Sequence, residues 1–339
     1  MSTTIEFDLD RFIRTSGRVD LSEVEWHRVR ERPLIPEEIR VVRYMMDIES
    51  HTVIFLRDLL ATHAAFDPDV TAFLSCWNYE EYWHGEAFSR LLGEAGVPVA
   101  PDPSEVVLHD VAYPTRRKRV YSIRRALGVS GSLGRLGTLI GSAISDREFI
   151  AIPMTWGMVN ELTTARAYRR MVETTDNVTL AQILRAIGKQ ERRHFAFYKA
   201  QATHRLRISG RARTLVRFTM DHLWEPVGTG VRPQEDTDFT VCYSFNDAPG
   251  VAELREMDAV IAALPGLEGT TYLQRAARAA AARSSLAFGR ERPRMGAGTP
   301  AASNASAGQS RGRTRVPSRV SMTSSPIAAS SSRSRSLSG

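Results

Sequence analysis

The stretches WNYEEYWHGEAF (77–88) and KQERRHFAFYK (189–199) each contain Glu-x-x-His, at Glu81–His84 and Glu191–His194. Both lie where apolar residues recur with helical spacing, and residues three apart share one helix face. Each phrase therefore aims a carboxylate and an imidazole at one point. Of the eight histidines, only His84 and His194 follow a Glu by three residues. One such pair arises by chance in roughly every two or three chains of this length at average composition. Two pairs, each preceded by a further core-facing Glu, are not explained that way.

Working outward, four long helical patterns are expected. The first runs from about Glu37 to His63, with Pro36 suited to the first helical turn. The second runs from about Pro68 to Gly93, opened by Asp67-Pro68 and closed by Gly93. The third covers about Asp146 to Val172, and the fourth about Thr179 to Leu206, opened by Asp176 or Asn177. At 100° per residue, Glu81 shares its face with Phe73, Trp77, His84 and Phe88; Glu191 shares its face with Ile183, Ile187, His194, Phe195 and Tyr198. Glu161 falls among Met154, Gly157, Met158, Thr164 and Tyr168, and Glu49 among Val42, Met45, Val53, Leu56 and Leu60. Asp47 lies about 160° around the helix from Glu49, so Glu49 is the ligand candidate. Glu80 points away from the shared face, as an outer partner or an exposed residue. His51 and His63 read as ordinary helix residues.

Four buried carboxylates need compensation, because an unpaired buried charge costs several kcal/mol. No Lys or Arg falls on these faces near the glutamates. Two divalent cations would balance four carboxylates and leave the imidazoles neutral. The expected metal ligands are Glu49, Glu81, His84, Glu161, Glu191 and His194. Carboxylates with two imidazoles and no thiolate favour iron or manganese over zinc; sequence does not separate Fe/Fe from Mn/Fe. One Glu from each of two helices and Glu-x-x-His from each of two others is the layout of ferritin-like carboxylate proteins. The expected fold is thus all-α: a ferritin-like four-helix bundle over 37–206 with a long crossover at 94–145. An N-terminal extension (1–36) precedes it, and extra helices at 207–284 and a disordered Arg/Ser-rich tail at 285–339 follow.

The 339 residues are 42% hydrophobic and carry a net charge of +7. Residues 285–339 hold nine Arg and one Glu, so this tail supplies +8 and the rest of the chain about −1. Such a composition cannot bury enough apolar surface to fold and reads as a solvated extension. Nucleic acid is not an expected partner of the near-neutral remainder. No run of about 18 apolar residues suggests a membrane span, and the first residues do not resemble a signal peptide. With two cysteines outside any C-x-x-C pair, a reducing, cytoplasmic location is expected. Cys76 reads as a buried thiol. The segment 238–244 (DFTVCYS) is the one strand candidate, and 211–224 and 251–283 read as helical. Within the crossover, residues 116–125 hold six cations, a docking candidate for an acidic partner.

WNYEEYWHGEAF (77–88), NELTTARAYRR (160–170) and LAQILRAIGKQERRHFAFYK (180–199) resemble the soluble acyl-carrier-protein desaturases. The family's Glu-Glu-x-x-His-Gly-acidic motif corresponds to Glu80, Glu81, His84, Gly85 and Glu86. Its Glu-x-x-Thr corresponds to Glu161 and Thr164, and its Leu-Ala-Gln-Ile followed by Glu-x-Arg-His to Leu180–Ile183, Glu191, Arg193 and His194. Glu49 matches the first ligand by position. The resemblance covers about 37–206. Tyr82-Trp83 stand where Asn-Arg is usual, and the crossover and tail have no recognised counterpart. The resemblance implies a di-iron, O2-dependent oxidoreductase acting on an unactivated C–H bond. It further implies an acyl chain on an acidic acyl carrier protein, a ferredoxin-type electron donor, and Thr164 as a catalytic proton relay. A homodimer is compatible with it. Met45, Met154, Met158, Trp77 and Phe195 are candidate tunnel-lining residues. Alternatives are a hydroxylase or N-oxygenase of secondary metabolism, an iron storage or detoxification protein, and a metal-free helical scaffold.

Overall fold

A computed structural model describes residues 7–99 and 146–284. The basic segment 116–125, most of the crossover and the tail lie outside the described residues. Every regular element among the described residues is helical. The helices are α1 (Leu9–Thr15), α2 (Pro36–Leu60), α3 (Pro68–Glu94), α4 (Ala151–Thr174), α5 (Val178–Ile208), α6 (Gly210–His222), α7 (Gln234–Phe245), α8 (Ala248–Ala262) and α9 (Tyr272–Arg283). No described helix is long and apolar enough to cross a membrane.

Local chemistry sets the ends of the long helices. Asp67 caps α3 by accepting from the Val70 N–H at 3.1 Å, and Pro68 takes the first turn. Asn177 caps α5 through the Leu180 N–H at 2.8 Å. Its amide also donates to the Val29 and Arg32 carbonyls, tying the N-terminal segment to this helix end. Helix α3 runs through Gly93, and Gly96, with φ +74°, makes the turn after it. A left-handed residue is what terminates such a helix, and Gly93 does not adopt that conformation.

Helix α2 pairs with α3, α4 pairs with α5, and α3 also lies beside α5. Two glycines set the pair spacings. A Cβ at Gly85 would meet Ser50 Oγ of α2 at 2.6 Å, and one at Gly157 would fall within the Tyr198 ring of α5. Fully buried Phe73, Phe88, Leu92, Met154, Met158, Ile183, Ile187 and Tyr198 fill the interior. Phe73 and Phe197 stack with ring centroids 3.7 Å apart. On α2 the predicted stripe holds for Val42 and Met45, whereas Val53 and Leu60 are 48% and 38% exposed. The later turns of α2 carry the edge of the stripe out of the core.

The segment 238–244 is helical, within α7, and not a strand. The acidic first turn (Glu235, Asp236) suits a helix N-terminus. Packing against α2 and α9 overrides the β propensity of its Phe, Thr, Val and Tyr residues. The expected helical stretch 251–283 is broken in two, because Gly266 and Gly269 take φ +88° and +72° between α8 and α9. Helix α6 packs on α4 and α5, and α8 on α4. Cys242 is buried and Cys76 half-buried, reversing the expectation for Cys76; its position falls at the edge of the α3 stripe.

Candidate metal centre

The four long helices bring together the six predicted ligands: Glu49 from α2, Glu81 and His84 from α3, Glu161 from α4, Glu191 and His194 from α5. None is more than 6% exposed. They form two overlapping sets, Glu49–Glu81–His84–Glu191 and Glu81–Glu161–Glu191–His194. In each set one ligand atom per residue lies within 4.8 Å of all the others. Glu81 and Glu191 belong to both sets. Glu81 faces both imidazoles, with one carboxylate oxygen 3.4 Å from His84 Nδ1 and the other 3.0 Å from His194 Nδ1. Glu191 Oε1 lies 3.0 Å from His84 Nδ1. Asp47 stays out of the cluster and pairs with Arg232 at 2.8 Å.

The outer hydrogen bonds orient the rings. His194 Nε2 lies 2.7 Å from Glu80 Oε2, and His84 Nε2 lies 2.8 Å from Gln190 Oε1. Gln190 donates its own amide N–H to the Gly17 carbonyl at 2.9 Å, which fixes the oxygen towards His84. Both outer partners are acceptors, so each ring carries its proton on Nε2 and directs Nδ1 inward. With Nδ1 unprotonated, the close approach to the carboxylates there is not a hydrogen bond. His84 Nδ1, His194 Nδ1, Glu81 Oε1 and Glu191 Oε1 are all buried without a hydrogen-bond partner. Nitrogen lone pairs facing carboxylate oxygens at 3.0 Å require a cation between them, either a proton or a metal ion. Hard oxygen donors with two imidazoles make this donor set fit for a divalent transition metal.

Glu80 is fully buried rather than exposed. It also accepts from Arg193 at 2.6 Å and from the Gly17 N–H at 3.1 Å. Burial pushes its carboxyl up, but His194 and Arg193 outweigh this and hold it below the ordinary range. The pattern is a cross-pairing. The residue before each motif glutamate reaches the imidazole of the other helix, and Gly17 joins the two partners. Glu49 and Glu161 are also held: Tyr168 donates its hydroxyl to Glu49, and Trp77 Nε1–H donates to Glu161 at 2.9 Å. Tyr168, Gln190 and Gly17 were not among the predicted site residues. The sequence signal for Gln190 was its place directly before Glu191, equivalent to Glu80 before Glu81.

Without metal, the cluster must hold protons. Burial pushes the His84 and His194 imidazoles down, yet the facing carboxylates outweigh it and leave both well above the ordinary range. Burial, then the Glu81 charge, pushes Glu49 up to about 8, and the same two causes hold Glu191 well above the carboxylate range. Glu81 is held well below that range, its partners outweighing burial. The raised groups bind more protons folded than unfolded, so their stabilisation is lost as pH rises through their folded values. Glu81 titrates below this window and does not oppose the trend. Metal-free protein should therefore lose thermal stability as pH rises from about 5 to about 8, where Glu49 loses its proton, and the rise in Tm on adding ferrous or manganous ion should grow over the same range. Calorimetry in both states checks this; a metal-induced rise that shrinks with pH would contradict it.

A cavity of ≈ 710 Å³, counting its open mouth, abuts Glu49. Thr164 and Tyr168 line it alongside Glu49, and Trp224 with residues of α7, α8 and α9 closes the other side. Of the five expected tunnel residues, only Met45 lines it. Met154 and Met158 are fully buried in the core, because they precede Glu161 on α4 while the cavity opens along the turns after it. Trp77 is taken up by Glu161, and Phe195 is half-buried at the core margin. Thr164 stands at the cavity, and it is Thr163 whose hydroxyl bonds back to the Asn160 and Val159 carbonyls.

No protein-family model, curated protein or solved structure matches this chain.

Proposed function

We propose that the protein is a di-iron, O2-dependent oxidoreductase with a ferritin-like four-helix bundle. Its reaction would be attack on an unactivated C–H bond, as in the soluble acyl-carrier-protein desaturases that its motifs resemble. One observation carries the reading: two buried ligand sets share Glu81 and Glu191. Sharing two carboxylates suits two cations about 3.5–4 Å apart, and four carboxylates balance two divalent charges.

Bound iron would supply the capacity to activate O2 with electrons from a ferredoxin-type donor. The chain's own residues do the rest. Glu81 and Glu191 would help hold both ions, Glu49 and Glu161 would each help hold one, and both imidazoles would ligate through Nδ1. Tyr168 and Trp77 hold the terminal carboxylates in orientation. Thr164, which lines the cavity, would pass a proton through its hydroxyl between the cavity and the cluster. Burial of all six ligands excludes bulk water from the reacting region. An acidic acyl carrier would meet the basic segment 116–125.

The test starts with iron content after anaerobic loading, for which two ions per chain are expected. The loaded protein then receives ferredoxin, reductant, O2 and a panel of acyl carriers. A product lighter by two hydrogens supports desaturation, and one heavier by an oxygen atom moves the reaction to hydroxylation. Failure to retain iron refutes the proposal.

A further inference from the structure

We propose that the cavity beside Glu49 binds an uncharged, largely apolar molecule bearing an oxygen acceptor, which Trp224, Thr240 and Ser244 recognise. This names the substrate class of the proposed oxidoreductase and rests on that reading for the reaction, though not for the binding.

The cavity wall is mostly apolar, with Met45, Ile48, Val241, Phe245 and Leu254 among its residues. It includes no Lys, Arg or His, and its one acid is Glu49, whose charge belongs to the metal cluster. A carboxylate or phosphate inside would find no counter-charge, and burying an unpaired anion is strongly unfavourable. The bound molecule is therefore neutral where it is enclosed.

Three lining residues carry buried polar atoms without a partner: Trp224 Nε1, Thr240 Oγ1 and Ser244 Oγ. Buried polar groups are nearly always satisfied in folded proteins. Ser244 is 2% and Thr240 9% exposed, so bulk water does not satisfy them. The two hydroxyls stand four residues apart on one face of α7. The Trp224 indole comes from the segment between α6 and α7. Indole N–H can only donate, and hydroxyls can donate or accept. The common complement is a neutral oxygen acceptor, such as the carbonyl of a ketone, ester or thioester. Because Glu49 and Tyr168 line the same cavity, the carbon chain beyond that oxygen would lie against the ligand set that contains His84.

The full chain, metal-free and iron-loaded, is titrated with octan-2-one and with octanoate, with binding read by ligand-observed NMR. Octan-2-one is expected to bind at least ~10-fold more tightly than octanoate, since only the latter brings an unpaired charge. Trp224→Phe and the double variant Thr240→Val/Ser244→Ala should each weaken the ketone about threefold to tenfold, the size of one lost neutral hydrogen bond. Both should leave octanoate binding and the thermal midpoint unchanged. Ala276→Phe, which fills the cavity, should abolish ketone binding and leave iron content intact. Equal binding of the two probes, or ketone binding unaffected by both polar variants, would overturn the proposal. Ketone binding by a chain that retains no iron would leave this site standing and remove the oxidoreductase reading. Retained iron without ketone binding would do the reverse.

Discussion

Glu81→Ala and Glu191→Ala should each empty both metal positions together, with bound iron falling from two ions per chain to near none after anaerobic loading and desalting. Glu49→Ala should spare the position around His194, and Glu161→Ala the one around His84, leaving about one ion each. The contrast follows from the ligand sets, because Glu81 and Glu191 occur in both while Glu49 and Glu161 occur once. Loss of a mere outer partner costs about 10–100-fold in metal affinity, so loss of a direct ligand to two ions should exceed that. Glu80→Ala supplies the comparison, with weakening in that range on the His194 side, where its carboxylate meets the ring. Glu191→Gln separates metal loss from misfolding. It imitates the protonated carboxyl that burial and Glu81 favour without metal, so the metal-free variant should keep its fold and lose less stability than the parent as pH rises. A Glu191→Ala protein that retained two ions would remove its role in holding both.

Phe73→Ala should be the most damaging single core substitution near the site. Phe73 is fully buried. Its ring stacks on Phe197 at 3.7 Å between centroids, and lies 5.0 Å from Phe12, 5.1 Å from Tyr198 and 6.2 Å from His194. Truncating a buried Phe to Ala costs about 3–5 kcal/mol, the lost transfer energy and the cavity acting together. At roughly 2–4 °C per kcal/mol for a domain of this order, the metal-free Tm should fall by about 6–20 °C. Iron affinity should fall as well, since the His194 ring loses one wall. A Tm within about 3 °C of the parent would mean that this aromatic stack does not support the core as described.

The six clustered residues were legible because each feature that marks them is short-range. Glu-x-x-His needs only the helical repeat, and a carboxylate on an apolar stripe reveals burial without knowledge of the neighbours. The long helices were legible for the same reason, and their ends depart from expectation by a few residues. The turn after α3 was misplaced because Gly93 and Gly96 look alike until the chain direction beyond them is known. What escaped the reading depends on segments far apart in sequence. Gly17 joins Glu80 and Gln190 across more than sixty and a hundred and seventy residues. Tyr168 was placed on the correct face of α4, but its hydroxyl bond to Glu49 depends on how closely α2 and α4 approach. Of the cavity wall only Met45 was anticipated, since α7, α8 and α9 build one side of it and residues 238–244 of α7 also fit a strand. Its alternation of Phe, Val and Tyr with polar residues satisfies the strand pattern equally well, and the contacts with α2 and α9 decide between the two.

X-ray absorption at the iron edge of anaerobically loaded protein tests the central claim most directly. Two ions sharing Glu81 and Glu191 should give a metal–metal distance of about 3.5–4 Å, with nitrogen and oxygen neighbours and no sulfur. Iron bound at one ion per chain with no metal–metal scattering, or no bound iron at all, would contradict it.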